Sequence, residues 1–481
     1  MGSKWATVSI DDIKSPEKYS CVGGPFGSSL SQKHYVDSGV PVIRGTNLAG
    51  DIFSESGFVF VSPDKANELQ RNIAFRGDIV FTQRGTLGQV ALIPEDSIYE
   101  RYIVSQSQMK LTVNPKQADA YFIYTYFRTN EAKALIENNA IVGGVPHINL
   151  GILKEFKLRL PPISEQKRIS AVSKSIDNKI TLNHKINQTL EQMSQTLFKS
   201  WFVDFDPVID NALDAGNPIP EALQSRAELR QKVRSSADFK PLSADVRTLF
   251  PAEFEETESG CLPAKWIYSD LSKLIDIKHG YAYKGEYFSE KPTDDILLTP
   301  GNVRIGGGFK LDKFKYYDGE IPKDYIFEKD DIFVSMTDLS KECDSLGYAA
   351  RIPYQENVRF LHNQRLGRVI IGKNNSSAKE FIYQVLISQD YRNTVLGSVT
   401  GTTVKHTSPR KILSHVIPHS INGEVEKKFD SICSSYSLSI SKNNENNRIL
   451  LQLRDTLLPK LISGELSLED LPNLVGQTEA A

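Results

Sequence analysis

The most regular alternation of apolar and polar positions lies in two long segments, in which apolar residues recur at steps of three and four. This spacing places them on one face of an α-helix. We therefore predict one helix of about 38 residues in each of the segments 163–206 and 421–463, which is about 57 Å long at about 1.5 Å per residue. The predicted stripe residues, which we also expect to form a subunit interface, are Ile169, Val172, Ile176, Leu190, Met193, Leu197 and Trp201 in the first helix and Phe429, Ile432, Leu450, Leu453 and Leu457 in the second.

Each of these helices needs a partner, because a long helix with a narrow apolar stripe is not stable alone in water. The other long helix is the obvious candidate, which predicts an antiparallel coiled coil with pseudo-twofold symmetry. The alternative is that each helix lies on its own domain. The asparagine-rich run from Lys442 to Asn447 interrupts the second stripe and leaves the register of pairing open.

The rest of the chain contains an internal repeat. Residues 39–48 (GVPVIRGTNL) correspond to 295–303 (DILLTPGNV), RGDIVFT to KDDIFVS, and LGQVALIP to LGYAARIP. Short apolar runs bounded by glycine-containing turns are typical of β-strands.

The predicted fold class is therefore α+β, with two mainly β domains that are each followed by a long helix. We place the first domain at 1–162, an acidic crossover connection at 207–262, the second domain at 263–420 and an acidic tail at 464–481.

Charge is unevenly distributed along the 481 residues, whose net charge is −2. The segment from Asp204 to Glu258 contains 12 acids and 6 bases, and the tail from Gly464 has 4 acids and no base. The remainder is therefore mildly basic, which permits contacts with nucleic-acid phosphates without proving them.

The four cysteines are far apart and form no C-x-x-C pair, which argues against a zinc ribbon or a disulfide framework. The first ten residues have no apolar signal core, and no segment approaches the length of a membrane span. We expect a cytoplasmic protein with reduced thiols and no membrane contact.

Motifs for catalysis are missing from the sequence. There is no phosphate-binding loop of the G-x-x-x-x-G-K-[ST] type, and no Asn/Asp-Pro-Pro-aromatic tetrad of an amino-methyltransferase. The two histidines at matching positions of the repeats, His147 and His406, have no second ligand at a fixed spacing, so we predict no metal site. The chain is expected to be non-catalytic and to bind no cofactor itself.

Polar side chains cluster in the glycine-containing turns of both repeats. Arginine, asparagine and glutamine are the side chains that recognise base edges, and glycine lets the backbone approach a ligand closely. Because the two sets differ, they suit two unlike half-sites on DNA; the alternative is that they are ordinary solvated turns. The candidate DNA-binding residues are Arg44, Thr46, Asn47, Gln83, Arg84, Thr86, Gln106, Gln108 and His147 in the first repeat and Asn302, Arg304, Ser335, Thr337, Asp338, Asn363, Gln364, Arg365 and Lys405 in the second.

The chain resembles the specificity subunits of type I restriction-modification systems over nearly its whole length, from about Trp5 to Glu465. The resembling stretches are GGPFGSSLSQKHYVDSGVPVIRGTNL, RGDIVFTQRGTLGQVALIP, LPPISEQKRIS, QTLFKSWFVDFDPV, GGGFKLDKFKYYDG and HNQRLGRV.

This resemblance implies two target-recognition domains that recognise the two parts of a bipartite site in double-stranded DNA, with helices that set the unrecognised gap. It also implies two adenine-methyltransferase subunits and two restriction subunits as partners, on which S-adenosylmethionine, ATP and magnesium would be bound. Two other functions are weighed against this one: a coiled-coil scaffold without DNA contact, and a fused methyltransferase, which the missing motifs disfavour.

Overall fold

The computed structural model describes residues 5–50, 52–258, 260–338, 340, 342–353, 355–372, 378–401 and 404–470. Part of the predicted acidic tail, residues 471–481, lies outside them. The chain divides into two compact units, the first formed by residues 1–183 and 446–481 and the second by residues 184–445. Each unit contains one sheet-rich domain and a part of both long helices.

The first domain is built from short strands and helices in the order that the apolar runs predict. Its strands are β1 (Ala6–Ser9), β2 (Cys21–Gly23), β3 (Tyr35–Val36), β4 (Val40–Ile43), β5 (Val59–Val61), β6 (Ile73–Phe75), β7 (Ile79–Thr82), β8 (Val90–Leu92), β9 (Arg101–Val104), β10 (Gln108–Leu111) and β11 (Lys157–Leu160). Its helices are α1 (Ile10–Ile13), α2 (Gly45–Leu48), α3 (Pro63–Glu68), α4 (Ala120–Arg128), α5 (Asn130–Asn138) and α6 (Leu150–Glu155). The sheets have the orders β2-β10-β7-β8, β3-β5-β4-β9-β6 and β1-β11.

The first long helix, α7 (Ile163–Phe198), continues as a π-helical turn (Lys199–Val203) and is called the first spacer helix. The crossover connection follows with α8 (Asp206–Ala215), α9 (Gln224–Arg234) and α10 (Ala244–Arg247).

The second domain has the strands β12 (Phe254–Thr257), β13 (Gly260–Pro263), β14 (Trp266–Asp270), β15 (Ile275–His279), β16 (Phe288–Ser289), β17 (Asp295–Leu297), β18 (Lys315–Tyr317), β19 (Ile332–Ser335), β20 (Thr337–Asp338), β21 (Ala349–Arg351), β22 (Arg359–Leu361), β23 (Leu366–Ile371), β24 (Lys405–His406) and β25 (Val416–Ser420). Its helices are α11 (Lys379–Ile387), α12 (Gln389–Gly397) and α13 (Pro409–Leu413), and the second spacer helix is α14 (Glu424–Ser463).

The sheet orders confirm the internal repeat. The order β15-β23-β19-β21 repeats β2-β10-β7-β8, and the pair β14-β25 repeats β1-β11. The same backbone contact recurs at Gly24 and Gly280, where an added Cβ would lie 1.9 Å from the Ser105 oxygen and 2.0 Å from the Asn363 oxygen. Only glycine fits at such a distance, so both repeats need it there.

In each domain one strand consists mainly of apolar residues because its two faces pack against two different hydrophobic cores. In β7, Ile79 and Phe81 face one hydrophobic core while Val80 faces another. In β19, Ile332 and Val334 likewise face one core and Phe333 a second. Because successive strand residues point to opposite faces, a strand between two cores is apolar throughout.

The crossover connection is a folded helical hairpin. Asp206, Asp210 and Asp214 of α8 pair with Arg226, Arg230 and Arg234 of α9, and the Asp206–Arg226 distance is 2.7 Å. The four-residue spacing on both helices brings successive pairs onto one face. The acidic excess of this segment is thus partly neutralised within it.

In each unit the segments of the two spacer helices run antiparallel and meet through polar side chains. In the first unit Asn183 Nδ2 donates to Asn447 Oδ1 at 2.7 Å. In the second, Asn187 Nδ2 donates to Asn444 Oδ1 at 2.9 Å, and Asn443 Nδ2 donates to Asn187 Oδ1 at 2.8 Å. From the sequence, the asparagine-rich run did not indicate how the two helices are aligned. In the structure, asparagines of this run form the hydrogen bonds between the helices and so determine their register.

Only some residues of the predicted apolar stripe are buried. Ile169, Ile176, Trp201 and Phe429 are buried. The residues Val172, Leu190, Leu197, Ile432, Leu450 and Leu457 are half-buried.

Met193 and Leu453 were predicted in this stripe but are 44% and 47% exposed. The reason is that Ser194 and Arg454, their neighbours along the helices, are buried instead. Their exposure leaves them available for the subunit interface that the same prediction named.

The spacer helices also dock on the domains of their own units. Gln166 Oε1 accepts from the backbone N–H of Asp119 at 2.8 Å, and Tyr121 Oη donates to Asp177 at 2.7 Å. In the second unit Ser437 Oγ donates to Glu380 at 2.9 Å. Each helix therefore both pairs with the other helix and lies on a domain, so the two alternatives are combined.

Candidate nucleic-acid interface

In the first domain the predicted polar turns converge around the ends of β4, β7 and β10. The backbone N–H groups of Gln83 and Arg84 both donate to the Ser107 oxygen, at 2.7 and 3.3 Å, and Arg84 forms a β-bridge with His147. The turn after β4 joins them, because Ser105 N–H donates to the Ile43 oxygen at 3.0 Å. We call the turns Arg44–Asn47, Gln83–Thr86, Ser105–Gln108 and residue His147 the first turn cluster.

The second domain repeats this convergence with other side chains. Met336 N–H donates to the Arg365 oxygen at 2.9 Å, and Thr337 pairs with His406. We call Ser335–Asp338, Asn363–Arg365 and Lys405–His406 the second turn cluster. Arg304 is placed differently, since it lies within electrostatic range of Glu191 on the first spacer helix.

Several predicted residues hold the turns in shape rather than facing solvent. The buried Asn47 Nδ2 donates to the Ser54 and Ser56 oxygens, each at 3.0 Å, and its Oδ1 accepts from Arg44 N–H. The buried Asn302 does the same in the second domain, donating to the Lys310 oxygen at 3.3 Å and the Asp312 oxygen at 3.2 Å. Sequence reasoning chose both asparagines for base recognition, whereas their amides are engaged within the turn.

Three further predicted residues are buried with internal partners. Gln108 accepts from Ser105 Oγ, and Ser335 Oγ donates to the Thr337 oxygen at 2.9 Å. Asp338 accepts from the Ser340 and Ser345 N–H groups at 2.7 and 2.6 Å. Burial raises the pKa of Asp338, but these hydrogen bonds together outweigh it, so that the pKa is lowered. Thr337 is also buried, in β20.

The remaining predicted residues are at the surface. Thr46, Arg84, Thr86, Gln106, Arg304, Gln364 and Arg365 are exposed, and Arg44, Gln83, His147, Asn363 and Lys405 are half-buried. Some of these are also tethered: Arg44 Nη2 donates to the Gly57 oxygen at 2.8 Å, Gln106 Nε2 to the Leu30 oxygen at 3.0 Å and Lys405 Nζ to the Gly401 oxygen at 3.1 Å.

A buried histidine supports the second turn cluster from below. The ring of His362 packs against Phe327 with 4.6 Å between centroids and an angle of 40° between the ring planes, and its Nε2 lies 3.0 Å from the Leu366 oxygen. Burial lowers its pKa to about 4, so the ring is neutral at pH 7. It therefore adds packing and a hydrogen bond, but no charge, to the turn that begins at Asn363.

The structure adds a cationic residue that the sequence did not single out. A cleft of about 520 Å³ adjoins the first turn cluster and is lined in part by Leu87, Gly88, Arg128 and Lys133. Lys133 is exposed, and a Cβ added at Gly88 would lie 3.4 Å from its Cγ. Lys133 lies on α5, 49 residues beyond Arg84 in the chain, so only the fold brings it near the cluster.

Within the described residues no group of three or more His, Cys, Asp or Glu side chains is arranged to hold a metal ion. All four cysteines are free thiols. Among the described helices none is both long and apolar enough to cross a membrane.

The protein has two sheet-rich domains and two long spacer helices. The turn clusters of the two domains have equivalent backbone contacts but different side chains. This architecture defines a recognition subunit built from a duplicated unit. Residues 3–192 match the family model described as the type I restriction modification DNA specificity domain. A DNA specificity domain of this kind therefore covers the first domain and most of the first spacer helix, and the chain is similar to the specificity subunits of type I restriction-modification systems.

Known proteins agree with this assignment. The chain is 26% identical to the HindI specificity subunit of Haemophilus influenzae over 81% of this chain and 87% of that protein. It is 24% identical to the MjaIX specificity subunit of Methanocaldococcus jannaschii over 96% and 94% of the two chains. The crystal structure of a type I S subunit from M. genitalium has the same fold, with a TM-score of 0.50, 15% identity and coverage of 95% and 96%. These findings favour DNA recognition over a scaffold without DNA contact.

Proposed function

We propose that this subunit recognises a bipartite, asymmetric site in double-stranded DNA, one half-site with each turn cluster. The main support for this proposal is that the two repeats of the chain share one fold and that each of them has a turn cluster. Equivalent backbone contacts hold both, whereas the first cluster has Arg84 and Ser107 at the places where the second has Thr337 and Arg365. Different side chains at equivalent places suit two different half-sites.

Base contacts are assigned to the exposed members of each cluster, and Lys133 is assigned to a phosphate. Arginine forms two hydrogen bonds with guanine and glutamine forms two with adenine, so Arg84, Gln364 and Arg365 have suitable chemistry. A lysine beside the cluster fits a phosphate, which fixes position without sequence information.

The proposed partners are two methyltransferase subunits and two restriction/translocase subunits. Met193 and Leu453 occupy equivalent positions of the two spacer helices, 260 residues apart, and both are about half exposed. Further exposed apolar side chains lie on the same helices, Leu182 and Ile449 in the first unit and Ile186 and Leu438 in the second. Several such side chains in each unit fit two docking positions, one for each methyltransferase subunit.

The cofactors are proposed to lie on these partners, with S-adenosylmethionine on the methyltransferase subunits and ATP and magnesium on the restriction subunits. This chain is proposed to bind none itself and to act in the cytoplasm.

The test uses the complex of the full chain with its methyltransferase subunits, after the target has been read from methylated adenines in the host genome. Arg84→Ala is expected to weaken recognition of one half-site and Gln364→Ala that of the other, each by about 1–3 kcal/mol. Binding is measured at a stated salt concentration, because phosphate contacts depend on it.

Lys133→Ala is the matched comparison, since it should weaken binding to all duplexes alike. Methyltransferase-subunit binding should be unchanged in all three variants. If Arg84→Ala and Gln364→Ala bind every half-site as the unaltered subunit does, the assignment of the clusters is wrong.

A further inference from the structure

The hairpin that carries His147 has an apolar tip exposed to solvent. Ile141 and His147 pair through both of their backbone N–H groups, at 2.8 and 3.4 Å, and the chain between them turns at two adjacent glycines. At this tip Val142 is 86% exposed and Val145 is 56% exposed. Single exposed apolar residues are ordinary, but two at one protruding tip require an explanation.

The base of this hairpin is fixed to the first turn cluster. Ile148 N–H donates to the Gln83 oxygen at 3.0 Å, Gly85 N–H approaches the Pro146 oxygen at 3.4 Å, and Ile148 itself is fully buried. The two valines are therefore held beside Arg84 by the same backbone contacts that define the cluster. A ligand that reaches Arg84 has the valine tip next to it.

The chemistry of the tip fits base edges better than a phosphate or a charged surface. Residues 140–146 contain no charged side chain, and no atom lies within 4 Å of a Cβ added at Gly143 or Gly144. The glycines thus leave space for a close approach by a ligand. Valine is shorter than the residues that wedge between base pairs, but it matches the apolar contact that a thymine methyl group offers in the major groove.

We propose that Val142 and Val145 contact thymine methyl groups in the major groove of the half-site that the first turn cluster recognises. This inference rests on the proposed function of that cluster. In the second repeat the residues at the positions of Val142 and Val145 are Gly401 and Val404, so the pair of valines is a feature of the first repeat. The two valines thereby contribute to sequence specificity through an apolar contact, in addition to the hydrogen bonds of the turn cluster.

The experiment replaces thymine by uracil, which lacks only the methyl group, at each position of the first half-site in turn. The unaltered subunit, in complex with its methyltransferase subunits, should lose about fourfold in affinity at one or two positions, as expected for one buried methyl group. The double variant Val142→Ser/Val145→Ser should bind the thymine duplex as weakly as the unaltered subunit binds the uracil duplex. At those positions uracil should cause no further loss in the variant.

The matched control is Ile98→Ser, since Ile98 is 70% exposed in the same domain but lies in another loop. It should keep the full response to uracil, and thermal unfolding of all variants should be unchanged because these side chains are at the surface. If the unaltered subunit binds its site specifically but ignores every uracil substitution, the valine contact is overturned while the proposed function stands. Failure of the unaltered subunit to distinguish its site from random duplex would overturn the proposed function itself. Loss of methyltransferase-subunit binding in the double variant, with DNA affinity retained, would make the tip a protein contact and overturn the inference.

Discussion

Asn47 and Asn302 are of a residue type that can recognise bases, but their buried side chains stabilise the turns in which they lie. Each buried amide joins the start of its turn to the chain several residues later. We expect Asn47→Ala to lower the free energy of unfolding of the first unit by about 1–3 kcal/mol, because backbone groups lose buried partners. Denaturant unfolding measures this change.

The control for this substitution is Thr46→Ala at the neighbouring exposed position, which should change stability by less than about 0.5 kcal/mol. Asn302→Ala should have the same effect in the second unit. An Asn47→Ala subunit that keeps full stability yet no longer recognises one half-site would show that the amide contacts DNA after all.

The buried His362 gives the second unit a pH dependence of known sign. Its folded pKa of about 4 lies below the ordinary value of 6.5, so the neutral ring is favoured by folding. Its contribution to stability is full above pH 6.5 and is lost as the pH falls from 6.5 to about 4, because in this interval the unfolded chain takes up the proton before the folded chain does.

His362→Gln keeps a hydrogen-bond donor but does not titrate. Unfolding midpoints at pH 7 and pH 5 should therefore fall less on acidification in the variant than in the unaltered chain. An equal fall in both would show that this ring is not the titrating group.

At the level of residues, the sequence located the turn clusters but could not separate their members by role. Glycines and polar side chains mark a turn in any chain, whereas burial depends on what packs beneath it. Asn47 and Thr46 are adjacent in the same turn, yet one is buried and the other exposed. Lys133 was not predicted because it joins the cluster only through the fold, and Val142 and Val145 were not predicted because the sequence does not show that they are exposed.

At the level of elements, the long helices and their antiparallel pairing were predictable from the sequence, but the side chains that join the helices were not. The side chains between them are asparagines that periodicity counts as polar interruptions. A buried asparagine pair costs stability relative to apolar residues but penalises wrong registers, because a shifted helix leaves its amides without partners. The Asp–Arg ladder of α8 and α9 was likewise hidden, since charge counts do not show which charges pair.

The Asn183–Asn447 pair allows a direct test of this role. Asn183→Leu alone should destabilise the first unit by about 1–3 kcal/mol, because it leaves the Asn447 amide buried without this partner. Adding Asn447→Leu should restore stability, because both polar groups are then replaced by apolar ones.

Denaturant unfolding of the three variants forms a double-mutant cycle. If the double variant is destabilised by the sum of the single effects, the two amides do not act as a pair. The exposed Leu182→Asn substitution on the same helix serves as control and should leave stability nearly unchanged.

At the level of the whole molecule, the prediction concerns the unrecognised gap between the half-sites. Both spacer helices pass from one unit into the other, so we expect their length to enter the length of this gap. The Asn183–Asn447 pair belongs to one unit and the Asn187–Asn443 pair to the other. Residues inserted between Asn183 and Asn187, and equally between Asn443 and Asn447, preserve both pairs.

A matched insertion of seven residues in each helix adds about 10 Å at about 1.5 Å per residue, which corresponds to at most about three base pairs. Mapping methylated adenines in cells that carry the lengthened subunit should therefore show the same two half-sites with a longer gap. The same insertion in the first helix alone should lengthen the gap by less and lower the unfolding midpoint, because one asparagine pair is then out of register. A gap that stays unchanged with both insertions would refute the role of the helices in setting it, whereas altered half-sites would show that the helices also orient the turn clusters.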